Sequence, residues 1–245
     1  MPINDPHDHD HNKLSIFRRL EPADIKEDIS ELRGDEYRAM FRKVHKIVNH
    51  QFTKGVQKGI RGYVFWGDVG VGKTVMVKAL AKALEVPLLF VDGSDIARPR
   101  YGESEQLINE LFQTNENDPR LILIDDAESV FPRRDWVKGE AWHIAQNNVL
   151  FHELDQMDTS NAAVFLTTNQ VELMDRALLS RLLDVPFPQP TKETMIQVAR
   201  DRCADLKVDP EPLVRTIELS TTQFNNIRDI EKVVLEYYVE QAMAD

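Results

Sequence analysis

Eight consecutive residues constrain this chain more than any others: Gly67, Asp68, Val69, Gly70, Val71, Gly72, Lys73 and Thr74 satisfy the pattern G-x-x-x-x-G-K-[ST]. An apolar run at 63–66 precedes them, and the stretch 74–84 places Met76, Val77, Leu80 and Ala81 on one helical face. A glycine-rich turn between a buried strand and a helix has a definite physical use. The glycines let the backbone curl until successive N–H groups point at one spot, and the positive end of the helix reinforces them, so the turn attracts phosphate oxygens. In that setting Lys73 neutralises the outer phosphates and the Thr74 hydroxyl becomes a ligand for Mg²⁺, with Val75 completing the contact set. The motif by itself implies only a bound nucleotide.

The rest of the pattern supplies a scaffold for such a turn. Short apolar runs at 63–66, 87–91, 121–124, 162–168 and 184–187 alternate with helical stretches, which predicts five parallel strands joined by crossover helices. The stretch 140–157 reads as one such helix, with Ile144, Ala145, Val149 and Leu154 on its inner face. The run Leu121, Ile122, Leu123 and Ile124 ends in Asp125 and Asp126. At the carboxyl edge of a parallel sheet beside the phosphate turn, Asp125 is placed to hold Mg²⁺ and Asp126 to orient or activate a water. Past Pro188 and Pro190 the strands stop, and 191–245 reads as three helices.

Ahead of the sheet, 21–33 and 35–52 look helical, the second with Tyr37, Met40, Phe41, Val44, Ile47 and Val48 in one stripe. Residues 1–13 have no hydrophobic periodicity and are expected to be a flexible tail. His7, His9 and His11 alternate there with Asp8 and Asp10, but nothing nearby would orient them as metal ligands. The expected organisation is therefore a tail at 1–13, a helical lead-in at 14–59, an α/β core at 60–190 and a helical lid at 191–245.

Charge and cysteine content exclude some classes. A net charge of −11 opposes a surface dedicated to nucleic-acid phosphates, which needs clustered Lys and Arg. Cys203 stands alone, so it forms no internal disulfide, and a reducing cytoplasm fits best. No apolar run approaches the ~20 residues that cross a bilayer.

Taken in order, these motifs resemble the AAA+ ATPase family from about residue 60 onward. Asp92, Gly93, Ser94, Asp95 and Ile96, then Tyr101, Gly102, Glu103, Ser104 and Glu105, are similar to the stretch that carries that family's first pore loop. Leu121 to Asp126 resembles its Walker B strand, and Ala163, Val164, Phe165, Leu166, Thr167, Thr168 and Asn169 its sensor 1 strand. The segment from Leu173 to Arg181 resembles the one ending in the arginine finger, and Asn226, Ile227, Arg228, Asp229, Ile230 and Glu231 a sensor 2 helix start.

The resemblance implies a P-loop NTPase fold, a three-layer α/β/α core with a small helical lid, using ATP and Mg²⁺. It also implies a homo-oligomeric ring, a hexamer in most of the family, acting on a protein client. Asn169 would sit by the γ-phosphate, Arg181 would reach a neighbouring subunit's nucleotide, and Arg228 would close over the nucleotide from the lid. Arg100 and Tyr101 are the pore-loop candidates; Trp136, Lys138 and Trp142 are candidates for a second pore loop, the alternative being that both tryptophans are core or subunit-contact residues.

Two departures from the family pattern matter. The residue after Asp125 is usually Glu, whereas here it is Asp126, one methylene shorter, which implies slow hydrolysis. The pore aromatic normally stands two places before the glycine, where this chain has Arg100, with Tyr101 one later. The alternatives are a DNA-associated motor or loader, and a nucleotide-gated scaffold that hydrolyses ATP slowly.

Overall fold

The computed structural model describes residues 17–96, 103–114, 118–133, 141–219 and 226–244. The tail 1–13 with His7, His9 and His11, the residues Arg100, Tyr101, Trp136 and Lys138, and the side chains of Trp142 and Ile144 lie outside them.

Five parallel strands form as the alternation of apolar runs predicts: β2 (Gly62–Trp66), β3 (Leu88–Asp92), β4 (Arg120–Asp125), β5 (Ala162–Thr168) and β6 (Leu183–Pro186). A sixth, β1 (Arg18–Leu20), adds to the edge antiparallel to β3, so the sheet runs β1-β3-β4-β5-β2-β6. Three residues are too few to show a period, and β1 is held by its partner strand and by Arg18 lying over the Phe90 ring at 5.3 Å.

Side chains alternate across the sheet. Tyr63, Phe65, Leu121, Leu123 and Phe165 face α1 (Asp35–Lys54) and α2 (Lys73–Leu84), while Val64, Ile122, Ile124, Val164 and Leu166 face α4 (Glu103–Gln113) and α5 (Ala141–Gln156). On α1 the buried residues are Tyr37, Phe41, Val44, Val48 and Gln51, and Gly55 in the left-handed conformation ends the helix. On α2, Met76, Val77, Leu80 and Ala81 are all fully buried, as their spacing predicts. The short helices α3 (Gly93–Ile96) and α6 (Arg176–Leu179) follow β3 and precede β6.

The stretch 21–33 is not the helix its composition suggests. It holds a single 3₁₀ turn, Ile29–Glu31, with the Asp28 carboxylate accepting from the Ser30 N–H. Its apolar residues are fixed one at a time: Ile25 and Leu32 are buried against the α1–α2 side of the core, and Glu27 pairs with Lys78 at 2.7 Å. Tertiary partners override helical propensity here.

Beyond Pro190 the chain is helical: α7 (Lys192–Leu206), α8 (Glu211–Leu219) and α9 (Ile227–Ala244). The Thr191 side chain caps α7 by accepting from the Thr194 N–H. Met195, Val198, Ala199, Cys203, Leu213, Ile217, Ile230 and Val234 make a core separate from the two flanking the sheet. This unit is tied back to the α1 end of the lead-in: Tyr37 Oη donates to the Pro188 carbonyl at 2.7 Å, Thr194 Oγ1 to Glu36 at 2.9 Å, and Arg33 pairs with Asp201 at 2.7 Å. Among the described residues no helix is long and apolar enough to cross a membrane.

Candidate functional site

Strand order explains why distant motifs meet. β5 lies between β4 and β2, and the register pairs Trp66 with Thr168 and Ile124 with Leu166, so the carboxyl ends of all three strands are level. The glycine turn after β2, the Asp pair after β4 and Asn169 after β5 therefore stand side by side. Such a crevice at the strand ends is the general ligand position of open α/β sheets.

The turn itself is shaped by glycine. Gly70 and Gly72 adopt φ of +81° and +91°, values that side chains disfavour. Gly72 is also the N-cap of α2 and supplies no side-chain cap, so the first-turn N–H groups face the crevice without one. Asp68 accepts from Gln189 at 3.0 Å, which fastens the turn to the linker beyond β6.

Lys73 is only 7% exposed. Its ammonium donates to the carbonyls of Gly67 (2.8 Å) and Asp68 (2.9 Å) and to Asn169 Oδ1 (2.7 Å). Burial pulls its pKa below the ordinary lysine value, while the carboxylates of Asp126, Glu128, Asp125 and Asp68 oppose that shift. Thr74 Oγ1 lies 2.8 and 3.1 Å from the two oxygens of Asp125, and Thr167 Oγ1 donates to the same carboxylate. Thr167 also accepts from the Asp126 N–H at 3.1 Å, so one hydroxyl orients both acidic residues.

Asp126 has φ +50° and ψ +50°, and its carboxylate is 3.4 Å from Asn169 Nδ2. Partial burial, then the carboxylates of Asp125, Glu128 and Asp92, push its pKa above the usual range, with Lys73 acting against them. It is open enough to solvent to exchange a proton, and close enough to other acids to hold that proton more readily than an ordinary aspartate.

The donor set fits a magnesium-bound polyphosphate. Glycines at positive φ and an uncapped helix start offer N–H groups, a buried ammonium offers charge, and a hydroxyl–carboxylate pair offers hard oxygen ligands suited to Mg²⁺. The enclosing cavity measures about 460 Å³, within the range of small-molecule sites. Val69 to Val75, Asp125, Asp126, Thr167 and Asn169 form its floor, and Ile227, Arg228, Arg202 and Glu231 its helical side. Arg228 lies against the turn: a β-carbon added to Gly70 would sit 2.9 Å from its Cγ. Glu231, three residues on along α9, pairs with Arg202 at 2.7 Å.

Of the candidates among the described residues, Gly67 and Asp68 stand behind the turn and meet Lys73 through their carbonyls, and Arg181 alone lies away from the cavity altogether. It lies just ahead of β6, at the opposite end of the sheet, where its guanidinium carbon sits 4.6 Å from the centre of the Phe151 ring and Nη2 reaches Asp155 at 3.3 Å.

Several residues of the site escape sequence reasoning. Thr167 sits inside a buried apolar strand, and the resemblance of 163–169 to a sensor 1 strand gives it no role of its own. Glu128 accepts from the Asn169 N–H at 3.3 Å, and its other oxygen is buried without a hydrogen-bond partner among the described residues. Glu27, Leu32 and Tyr37 of the lead-in form a third wall, which the expected helix at 21–33 would not have built.

Comparison with known proteins agrees with this architecture. The family described as "ATPase family associated with various cellular activities (AAA)" matches residues 63–188, just over half of the chain. The proteasome-activating nucleotidase of Pyrococcus abyssi is 34% identical over 139 residues, covering 52% of this chain and 35% of that protein. The 26S proteasome regulatory subunit 8 homolog of Schizosaccharomyces pombe is 28% identical over 148 residues, covering 57% and 37%. The chain thus spans little more than a third of the length of these two relatives. A chain from the structure of the E. coli MS115-1 HORMA:CdnC:Trip13 complex superposes with a TM-score of 0.71 over 88% of this chain and 86% of its own, at 19% identity, a likeness of fold. With the matched span running from β2 through Pro188 and containing the whole phosphate turn, the chain belongs to the AAA family of ATPases.

Proposed function

We propose that this chain binds Mg²⁺-ATP between the sheet and the helical unit, hydrolyses it, and works as an oligomeric ring that remodels a protein client. The observation carrying the proposal is the convergence of Lys73, the Thr74–Asp125 pair and the Asn169–Asp126 pair in one cavity, with Arg228 laid against the phosphate turn.

The N–H groups of 69–74 bind the phosphates, and Lys73 exchanges its protein oxygens for those of the β- and γ-phosphates. Thr74 and Asp125 would hold Mg²⁺, which when bound neutralises charge developing on the phosphate oxygens. Asn169 and Asp126 position a water, and Asp126 takes its proton as the water oxygen bonds to the γ-phosphorus and the bond to ADP breaks. Arg228 links the state of the phosphates to the helical unit, which we propose moves as a lid.

The ring is supported by Arg181. A guanidinium on the sheet end opposite its own nucleotide cavity can serve hydrolysis only in a neighbour's site. A protein client is supported by the similarity to proteasome-activating nucleotidases and by the net charge of −11, which disfavours a nucleic-acid track. Slow turnover is a second element of the proposal, supported by the short side chain of Asp126 in a left-handed backbone.

The test is binding of a fluorescent ATP analogue together with steady-state phosphate release. Lys73→Ala should lose both. Tight binding retained in that variant would mean that the cradle has another purpose.

A further inference from the structure

Arg181 is not a free surface arginine. Its Nη1 donates to the Ala177 carbonyl at 3.0 Å, its Nε and Nη2 both approach one oxygen of Asp155 at 3.4 and 3.3 Å, and its plane stacks on Phe151. All three guanidinium nitrogens therefore have a partner within the same chain. The other oxygen of Asp155 is 3.5 Å from Nη2 of Arg61, so one carboxylate is shared between two arginines. The side chains of Arg181 and Asp155 are 28% and 40% exposed, and Asp155 with Arg61 borders an open hollow of about 590 Å³. A pair this long and this wet is weak, of the sort that a more highly charged anion displaces.

We propose that Asp155 is an intrachain latch on Arg181, standing in for the neighbour's phosphate in the lone protomer and released when a nucleotide-loaded neighbour docks. This rests on the reading of Arg181 as a residue that acts in the adjoining subunit. The Phe151 face and the Ala177 carbonyl keep the arginine ordered, while Asp155 makes the pairing competitive. When only a fraction of protomers have Arg181 available, the apparent affinity between subunits falls by that fraction. The latch therefore raises the protomer concentration at which shared sites form and leaves the rate of a completed site untouched. Arg61 moderates it by drawing on the same carboxylate.

The experiment measures the protomer concentration for half-assembly, by sedimentation velocity with saturating β,γ-imido ATP, alongside ATPase activity at saturating protein. Asp155→Asn should lower the half-assembly concentration by roughly 1.5- to 5-fold, the range set by exposed ion pairs, with the ATPase plateau unchanged. Arg61→Gln, which leaves Asp155 wholly to Arg181, should raise it. In an Arg181→Ala background, Asp155→Asn should have no effect, because the latch has nothing to hold.

An unchanged or higher half-assembly concentration in Asp155→Asn, or a shift that persists without Arg181, would overturn the latch. Failure of the underlying reading looks different: Arg181→Ala alone would hydrolyse ATP at the full rate at saturating protein.

Discussion

The ammonium of Lys73 donates to the side-chain oxygen of Asn169 at 2.7 Å, joining residues 96 positions apart. Without phosphate, the lysine is held by oxygens that phosphate oxygens can replace, while Asn169 Nδ2 stays directed at Asp126. Asn169→Ala should therefore leave binding of a fluorescent ATP analogue nearly intact and reduce phosphate release by roughly 10²-fold, the lower end for loss of one preorganised donor. Equal losses in binding and turnover would make Asn169 a structural support for Lys73 instead.

Asp126 sits among Asp125, Glu128 and Asp92, and its pKa is raised by burial and by those neighbours. The folded protein thus holds this proton more tightly than the unfolded chain. The corresponding stability is fully present below the ordinary aspartate value of 3.8 and is lost as pH rises through the raised value. At pH 7 the nucleotide-free Asp126→Asn variant should melt above wild type, with the gap closing as acid protonates the wild-type carboxyl. The same variant should bind ATP and fail to hydrolyse it. Asp126→Glu should release phosphate faster than wild type, since the added methylene brings the base toward the water, and a slower rate would remove the argument for deliberate slowness.

Gly70 and Gly72 offer a controlled comparison within one turn. Each has φ > 0, so alanine at either position should cost backbone strain and lower Tm by roughly 2–8 °C. Only at Gly70 would the new methyl meet Arg228, whereas the space at Gly72 is open. Gly70→Ala should therefore show an additional loss of ATP affinity that Arg228→Ala partly relieves, measured by analogue binding in the single and double variants. An identical penalty at both positions would separate Arg228 from the phosphate turn.

Arg181→Ala should leave nucleotide binding intact and lower turnover by roughly 10³-fold at saturating protein. Mixing it with Asp126→Asn should restore activity, because a site with an intact Asp126 from one protomer can then receive Arg181 from the other. Mixtures that stay inactive at every ratio would show that sites are not shared.

The sequence already carried the sheet and the floor of the site. Runs such as 121–124 and 162–168 are apolar on both faces, a pattern only a doubly covered strand needs, and the glycine turn has a conformation few other residues adopt. The lead-in was opaque for the opposite reason. Ile25 and Leu32 are seven residues apart, as on a helix, yet each is fixed by a separate tertiary contact, and no local periodicity encodes that. β1 exists through the edge of β3 and the seat of Leu20 against the core, neither of which three residues can announce. Thr167 and Glu128 belong to the site by position, since a threonine in a strand and a glutamate in a turn are ordinary in countless other settings.

One wall of the nucleotide cavity, Glu27, Leu32 and Tyr37, is also the path by which the chain arrives from its N-terminal side, and the same stretch is bolted to α7 through Glu36 and Arg33. Under the proposed lid motion, filling or emptying the cavity would push on an incoming cable as well as on a closing door. Any cargo-gripping element fused upstream of Arg18 would be tugged at each turnover without needing a contact of its own with ATP.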